Sequence, residues 1–167
     1  MDINKDIAEE GTERITICSH SDFLQILRDI EDFWGNNRTL SYHHPMFINE
    51  FGNTAFVIKD KDKVIAYLFG FVSQTVQTGY VHLIGVRSGH QKKGLGKLLY
   101  EYFIKYLRSI GIQNLKAITT PTNERSISFH LSIGMEMTGV ENDSGIKVIK
   151  DYSGVGEDRV VFTMKFT

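Results

Sequence analysis

The sequence predicts a mixed α/β (α+β) fold, a sheet with helices on its faces, and three observations predict it. Strand and helix periodicities follow one another in the order β-α-β-β-β-α-β-α-β-β, which is neither a run of helices nor a strict βαβ alternation. Two amphipathic helical stripes each stop at a glycine, Gly111 and Gly134, as a residue that tolerates the left-handed conformation should. The chain has 167 residues, 41% of them hydrophobic and 23% charged, enough for one soluble core without disulfide support.

Each element has its own signal. Ile15-Thr16-Ile17 alternates like a short strand, and Ser19 or Ser21 then caps a helix whose apolar face is Phe23, Ile26, Leu27, Ile30 and Phe33 or Trp34; a hydroxyl there accepts an orphan backbone N–H. Gly35-Asn36-Asn37 stops it, and residues 38–54 read as a loop with a short helix. Thr54 to Ile58 and Val64 to Ser73 are two strands joined by the turn Asp60-Lys61-Asp62-Lys63. Tyr80 to Val86 is a third strand, and a long helix starts near Leu95. Leu115 to Thr119 is a strand, Pro121 punctuates, and a helix runs from about Asn123 to Ile133. Met135 to Val140, Ile146 to Tyr152 and Arg159 to Phe166 carry the remaining strand signals. Residues 1–13 hold five acids and one lysine with almost no apolar period, and read as a mobile acidic tail.

Composition excludes several classes. Nineteen Lys and Arg against twenty Asp and Glu give a net charge of -1, so the chain is not a global polycation for nucleic acid. One cysteine, Cys18, makes no internal disulfide and no cysteine-rich zinc site, which fits a reducing, cytoplasmic setting. The longest apolar run, Val64 to Val72, is interrupted by Gly70 and is far short of the ~20 residues a membrane helix needs. No metal site is expected: His43-His44 reads as a loop or surface pair, since adjacent side chains rarely converge on one ion.

One segment carries chemistry. Val86-Arg87-Ser88-Gly89-His90-Gln91-Lys92-Lys93-Gly94-Leu95-Gly96-Lys97 leads from a strand through a glycine loop into a helix. The first N–H groups of a helix lack internal partners and sit at the positive end of its dipole, so they suit an anion. Gly94 and Gly96 open the backbone to a ligand, Lys92, Lys93 and Lys97 add charge, and no acid occurs between Lys63 and Tyr100. The P-loop pattern fails because Leu95 stands where its lysine must be. The dinucleotide fingerprint fails because Leu99 stands at its third glycine.

Gln91 to Gly96 does match Q-x-x-G-x-G after a strand. Here the sequence resembles the GNAT superfamily of acyl-CoA-dependent N-acyltransferases, whose diphosphate loop reads Q/R-x-x-G-x-G/A. The resemblance runs on for about 40 residues through Asn123, Ser126, Phe129, His130, Gly134 and Met135, the positions of a pattern close to N-x-x-A-x-x-F-Y-x-x-x-G-F. It implies a mostly antiparallel sheet, splayed at the cofactor site, and residues 14–167 as one N-acetyltransferase domain. It implies acetyl-CoA as acyl donor, with the backbone of Ile84 and Val86 pairing with pantetheine. The N–H groups of Gln91, Lys92, Lys93, Gly94, Leu95, Gly96 and Lys97 would hold the diphosphate. Asn123 would bond the pantetheine arm, and Phe129 would lie near the cofactor. Such proteins often form homodimers, and the apolar C-terminal strands are candidates for that contact.

The acceptor is expected to be a primary amine. A lysine-like amine is neutral in about one molecule in 2,500 at pH 7, so a base must supply about 4.6 kcal/mol. The family's usual glutamate is missing from the strand Tyr80 to Val86, where His82 is the ordinary base on the face shared by Tyr80, Ile84 and Val86. The family's tyrosine donor to the departing thiolate is replaced by His130. Each histidine has a plain structural alternative, a sheet residue satisfied by a neighbour for His82 and helix–sheet packing for His130. Asn123 caps its helix whether or not it touches cofactor. Phe69, Phe71, Tyr102 and Phe103 read as core, and Cys18 as a small buried residue. Glu141, Asp143, Asp151, Glu157 and Asp158 give the 141–158 stretch a negative bias that suits a cationic acceptor. Tyr42, His43 and His44 lie where the resemblance puts acceptor contacts. A non-catalytic acyl-CoA sensor and a nucleotide-binding protein remain open on the same loop.

Overall fold

The computed structural model describes residues 15–167. The acidic stretch 1–13 lies outside the described residues. The described residues form two compact units, one of residues 15–69 and 83–100 and one of residues 70–82 and 101–167. Strand pairing is mostly antiparallel and helices cover sheet faces, as expected from the sequence.

In the first unit, β1 (Ile15–Ile17) pairs antiparallel with β2 (Ala55–Asp60), and β2 pairs antiparallel with β3 (Lys63–Val72), which begins in this unit. The β2–β3 turn needs one left-handed residue, Lys61 at φ 54°. Helix α1 (His20–Arg28) starts with a reciprocal cap: Ser19 Oγ accepts the Asp22 N–H, and Asp22 accepts the Ser19 N–H at 3.0 Å. Such a cap contributes about 1 kcal/mol. Burial works to raise the Asp22 pKa, but the Ser19 bonds and Lys59, 3.2 Å away, outweigh it and hold the carboxyl below its ordinary range. Phe23 and Ile26 turn inward, and Phe23 meets Phe69 of β3 at 6.1 Å between ring centres. Each such buried side chain stabilises by about 1.5–3 kcal/mol.

The single helix expected up to Trp34 is broken. It ends at Arg28, and α2 (Ile30–Trp34) restarts after Asp29, whose backbone at φ -99°, ψ 21° leaves the helical path. A tertiary ion pair with Arg87 holds Asp29 there, which residue spacing could not reveal. Segment 38–54 contains α3 (Met46–Asn49) between short 3₁₀ turns at Leu40–Tyr42 and Gly52–Thr54. His43, expected as a loop or surface residue, is buried at 4% exposure, while His44 is exposed.

In the second unit, β4 (Gly79–Val86), which continues into the first, pairs in parallel with β5 (Asn114–Thr119) at Gly79↔Leu115, Tyr80↔Lys116 and Val81↔Ala117. Helix α4 (Leu95–Ser109) also runs from one unit into the other, and its Leu107 fills the space that a side chain at Gly79 would need. Helix α5 (Glu124–Ser132) lays His130 on Phe162 of β9 (Val160–Lys165), rings stacked at 4.5 Å. Strand β9 pairs antiparallel with β5 on one side and β6 (Glu136–Thr138) on the other.

The two strands expected over 135–152 are shorter than their apolar signal. β6 stops at Gly139, whose φ of 106° is a glycine conformation and whose missing side chain leaves room for the Val148 carbonyl. A small hairpin of β7 (Val140–Glu141) and β8 (Lys147–Val148) follows. Beyond it, Asp151 at φ 53° starts a tight turn in which its carboxylate accepts the Gly156 N–H at 2.6 Å. Polar side chain–backbone bonding thus wins over strand propensity. Of the aromatics expected in the core, Phe69 and Phe103 are buried, whereas Phe71 and Tyr102 are half-buried. No described helix is long and apolar enough to cross a membrane.

Candidate active site

The residues singled out from the sequence fall into both units. Ile84, Val86 and the loop Gln91 to Lys97 belong to the first, and His82, Asn123, Phe129 and His130 to the second.

In the first unit, β4 ends at Val86 and a 3₁₀ turn, Ser88–His90, begins the loop. The Arg87 N–H donates to the Ile65 carbonyl of β3 at 2.9 Å. Strand alternation therefore turns the backbone groups of Ile84 and Val86 to the opposite edge, the orientation that pairing with an extended ligand requires. The Gln91 side chain has a task of its own beside the backbone role its motif position suggests. It turns back, and Nε2 donates to the Val86 carbonyl at 3.1 Å, closing the loop on itself. Lys92 at φ 61° and Gly94 at φ 82° are both left-handed. That pair of bends brings the chain into α4, where the first ladder bond is Leu98 N–H on the Gly94 carbonyl at 3.0 Å. The Leu95 and Gly96 N–H groups precede that ladder, as at any helix N-terminus. Leu95 is buried and anchors the first turn, whereas Lys92, Lys93, Gly94 and Lys97 are exposed. A Cβ built on Gly94 meets nothing within 4 Å, so the glycine serves the backbone angle and leaves the approach open. Gly96, expected to open the backbone to a ligand, is buried with Leu95 under the first turn of the helix, so Gly94 alone leaves the approach open. Its exposed neighbours Lys92 and Lys93, Lys97 and the helix dipole fit a diphosphate.

A buried residue that the sequence pattern did not flag stands directly before this loop. Arg87, with its side chain 4% exposed, donates from Nη1 to Asp32 at 2.6 Å, from Nη2 to Asp29 at 3.1 Å and from Nε to the Val64 carbonyl at 3.0 Å. Its guanidinium also lies 4.6 Å from the Phe33 ring centre. The Asp29 carboxyl is pushed up by burial, but hydrogen bonds from Arg28 and Arg87 outweigh this and hold it below its ordinary pKa. Two acids three residues apart on α2 and its cap were the only local signal, and nothing in the sequence paired them with Arg87.

A second buried chain of groups was equally silent in the sequence. Trp34 Nε1–H donates to the Tyr67 hydroxyl at 2.7 Å, and His43 Nε2 lies 2.6 Å from the same oxygen. His43 Nδ1 lies 2.8 Å from the Thr39 carbonyl, which only accepts, so Nδ1 carries the proton. In the neutral ring Nε2 then accepts the Tyr67 O–H. Burial pushes the Tyr67 pKa up, and the bond from Trp34 opposes this less strongly, so the hydroxyl stays protonated.

In the second unit, half-buried Tyr80 and His82 share one face of β4, with ring centres 6.5 Å apart, and Tyr80 stacks on Phe71 at 5.1 Å. Burial, aided by Tyr152, raises the Tyr80 pKa to about 12. Asn123 Oδ1 accepts the Ser126 N–H at 3.1 Å and caps α5. Phe129 meets His130 edge to face at 5.2 Å. His130 Nδ1–H donates to the Ser126 carbonyl at 2.7 Å. Burial lowers the His130 pKa and outweighs the opposing effect of that bond. At pH 7 the ring is neutral, whereas the donor role expected from the sequence needs an imidazolium. No group of three or more His, Cys, Asp or Glu placed to hold a metal occurs among the described residues.

With this geometry in place, comparison with known proteins identifies the class. The chain belongs to the acetyltransferase (GNAT) family, whose model matches residues 22–135. It is 31% identical over 87 residues to the L-2,4-diaminobutyric acid acetyltransferase of Shouchella clausii (strain KSM-K16), covering 52% of this chain and 49% of that one. It is 29% identical over 107 residues to the protein of the same name from Marinococcus halophilus, covering 60% of this chain and 62% of that one. The chain thus spans 49% and 62% of the lengths of these curated relatives. Among solved structures, Ard1 from Thermoplasma volcanium superposes with a TM-score of 0.73 at 14% identity, over 92% of this chain and 97% of that one. That likeness establishes the fold.

Proposed function

We propose that the protein is an N-acetyltransferase that moves the acetyl group of acetyl-CoA directly to a primary amine. The observation that carries the reading is the loop Gln91 to Lys97: left-handed Lys92 and Gly94, an open approach at Gly94 and three lysines at the start of α4. In this reading the loop amides take the diphosphate, and the outward backbone edge of Ile84 and Val86 takes the pantetheine. Asn123 and Phe129 remain proposed cofactor contacts.

Removing the ammonium proton of the acceptor is the main barrier to be met, about 4.6 kcal/mol at pH 7. His82 is the base we assign to it. The departing CoA thiolate belongs to a class with pKa near 8.5, so it leaves near neutral pH without an obligatory acid. His130, neutral and bonded to Ser126, is assigned the support of α5 on β9 in place of proton donation. Cys18 is not the acyl carrier, because burial, reinforced by Asp22, pushes its thiol to about 12.

The acceptor we propose is a small cationic amine, with an α,ω-diamino acid as the first candidate. The activity for which the two relatives are named and the acidic bias of residues 141–158 support it. The test is thiol release from acetyl-CoA in the presence of L-2,4-diaminobutyrate, polyamines, amino acids, aminoglycosides and peptides, beside calorimetric titration with CoA. Saturable CoA binding with amine-dependent thiol release is expected. Binding without release from any acceptor would make the protein an acyl-CoA sensor. Equal stabilisation by ATP and CoA would make it a nucleotide binder.

A further inference from the structure

We propose that Arg87 is a positioning residue for the diphosphate loop, acting through its ion pairs with Asp29 and Asp32. This rests on the reading of residues 91–97 as a diphosphate site and adds to it the device that shapes that site before ligand arrives.

A cation four residues before an anion-binding stretch would ordinarily be taken for a ligand contact. Arg87 is turned the other way. Its guanidinium is buried, both Nη atoms are spent on carboxylates, and Nε is spent on the Val64 carbonyl. The ligand-facing charge therefore belongs to the exposed lysines. What Arg87 controls is where the loop begins. Its N–H holds the end of β4 to β3 through Ile65, and its carbonyl accepts the His90 N–H at 2.8 Å, the bond that closes the 3₁₀ turn. Backbone and side chain of one residue thus join the end of β4, the first turn of the loop and the break between α1 and α2. The Gln91 bond to Val86 closes the loop just beyond this point.

Loop amides bind an anion well only if they already point at it. A loop that must be ordered at the moment of binding loses affinity to that ordering. Arg87 suits the task because a planar fork meets two carboxylates in fixed directions, which a lysine point charge does not. Arg87→Lys keeps the charge and loses the fork. Asp32→Asn keeps the shape of a 57%-exposed side chain and removes one of the two carboxylate partners.

The experiment compares wild type, Arg87→Lys and Asp32→Asn, each checked for fold by circular dichroism. Calorimetry gives the Kd for CoA, and inorganic pyrophosphate is used as a competitor. Steady-state kinetics with the best amine of the acceptor panel give the donor KM, the acceptor KM and kcat. The CoA Kd and donor KM are expected to rise about tenfold in Arg87→Lys and about threefold in Asp32→Asn, with pyrophosphate weakened in parallel. The acceptor KM and kcat are expected to stay within about twofold of wild type. A CoA Kd unchanged in Asp32→Asn and in any folded Arg87→Lys protein overturns the proposal. So does an equal loss in acceptor KM and kcat, which marks general damage. If wild type itself shows no saturable CoA affinity, the diphosphate reading fails and this inference falls with it.

Discussion

Tyr67 and His43 share a buried hydrogen bond of 2.6 Å between hydroxyl and Nε2, and the same hydroxyl accepts Trp34 Nε1–H at 2.7 Å. One oxygen therefore ties β3 to α2 and to the segment before α3. Its ring also fills the space beside Gly85 of β4, where a Cβ would stand 2.6 Å from Cε1 and 3.0 Å from the hydroxyl. Tyr67→Phe should remove both of these bonds and cost about 1–3 kcal/mol in a urea melt. Trp34 is the only tryptophan, so its emission should change in the folded variant. Gly85→Ala should destabilise by a similar amount through the displaced ring. Wild-type stability in Tyr67→Phe would show that the hydroxyl's bonds contribute nothing net.

At Gly94 the backbone angle is the constraint, not space. Gly94→Ala should cost about 1 kcal/mol through the left-handed conformation and should weaken CoA binding further if the loop relaxes. At Gly89 a Cβ would also meet nothing within 4 Å, and its φ lies outside the left-handed range. Gly89→Ala should therefore leave stability nearly unchanged. Equal melting temperatures for the two variants would contradict this distinction.

His82→Ala should lower kcat by about 10²–10⁴-fold while changing the CoA Kd little, the signature of a lost proton acceptor. Raising the pH should recover part of the rate, because more of the amine is then neutral. Turnover equal to wild type across the pH range would remove His82 from the mechanism.

Acid should reveal His130. Its folded pKa lies below the ordinary 6.5 because burial favours the neutral ring. Below pH 6.5 the unfolded chain takes up the proton first, so the stability present above that pH is lost as pH falls through the folded value. His130→Phe should flatten this slope in urea melts between about pH 5 and pH 7.5. An unchanged slope would assign the acid sensitivity to other groups.

Cys18 should be silent in the native protein. A thiol pushed to about 12 by burial has almost no thiolate at neutral pH. A disulfide reagent should label it only at the rate of unfolding. Fast stoichiometric labelling of native protein would reopen a route through an acyl-thioenzyme.

The order of elements and the glycine turn into α4 were legible in the sequence because both are local. A helix stripe, a strand alternation, the Ser19 cap and the Gln91-to-Gly96 spacing involve residues within one or two turns of each other. The same locality explains the misses. The stripe through Ile30 gave no sign of the break at Asp29, and the β signals over 146–152 outweighed a turn made by the Asp151 carboxylate.

What the amino-acid order determined alone was the kind of fold, the glycine turn between β4 and α4 and the family resemblance that turn carries. The tertiary structure decided which polar groups are spent and which remain for chemistry. Arg87 carries no flag in the sequence, and its guanidinium is consumed by Asp29 and Asp32. His43 looks like a loop residue and is held inside by Tyr67. His130 looks like a proton donor and is kept neutral by burial. The cause is common to all three: the state of a polar side chain depends on its desolvation and on partners far away in the chain, and neither is written in its immediate neighbours.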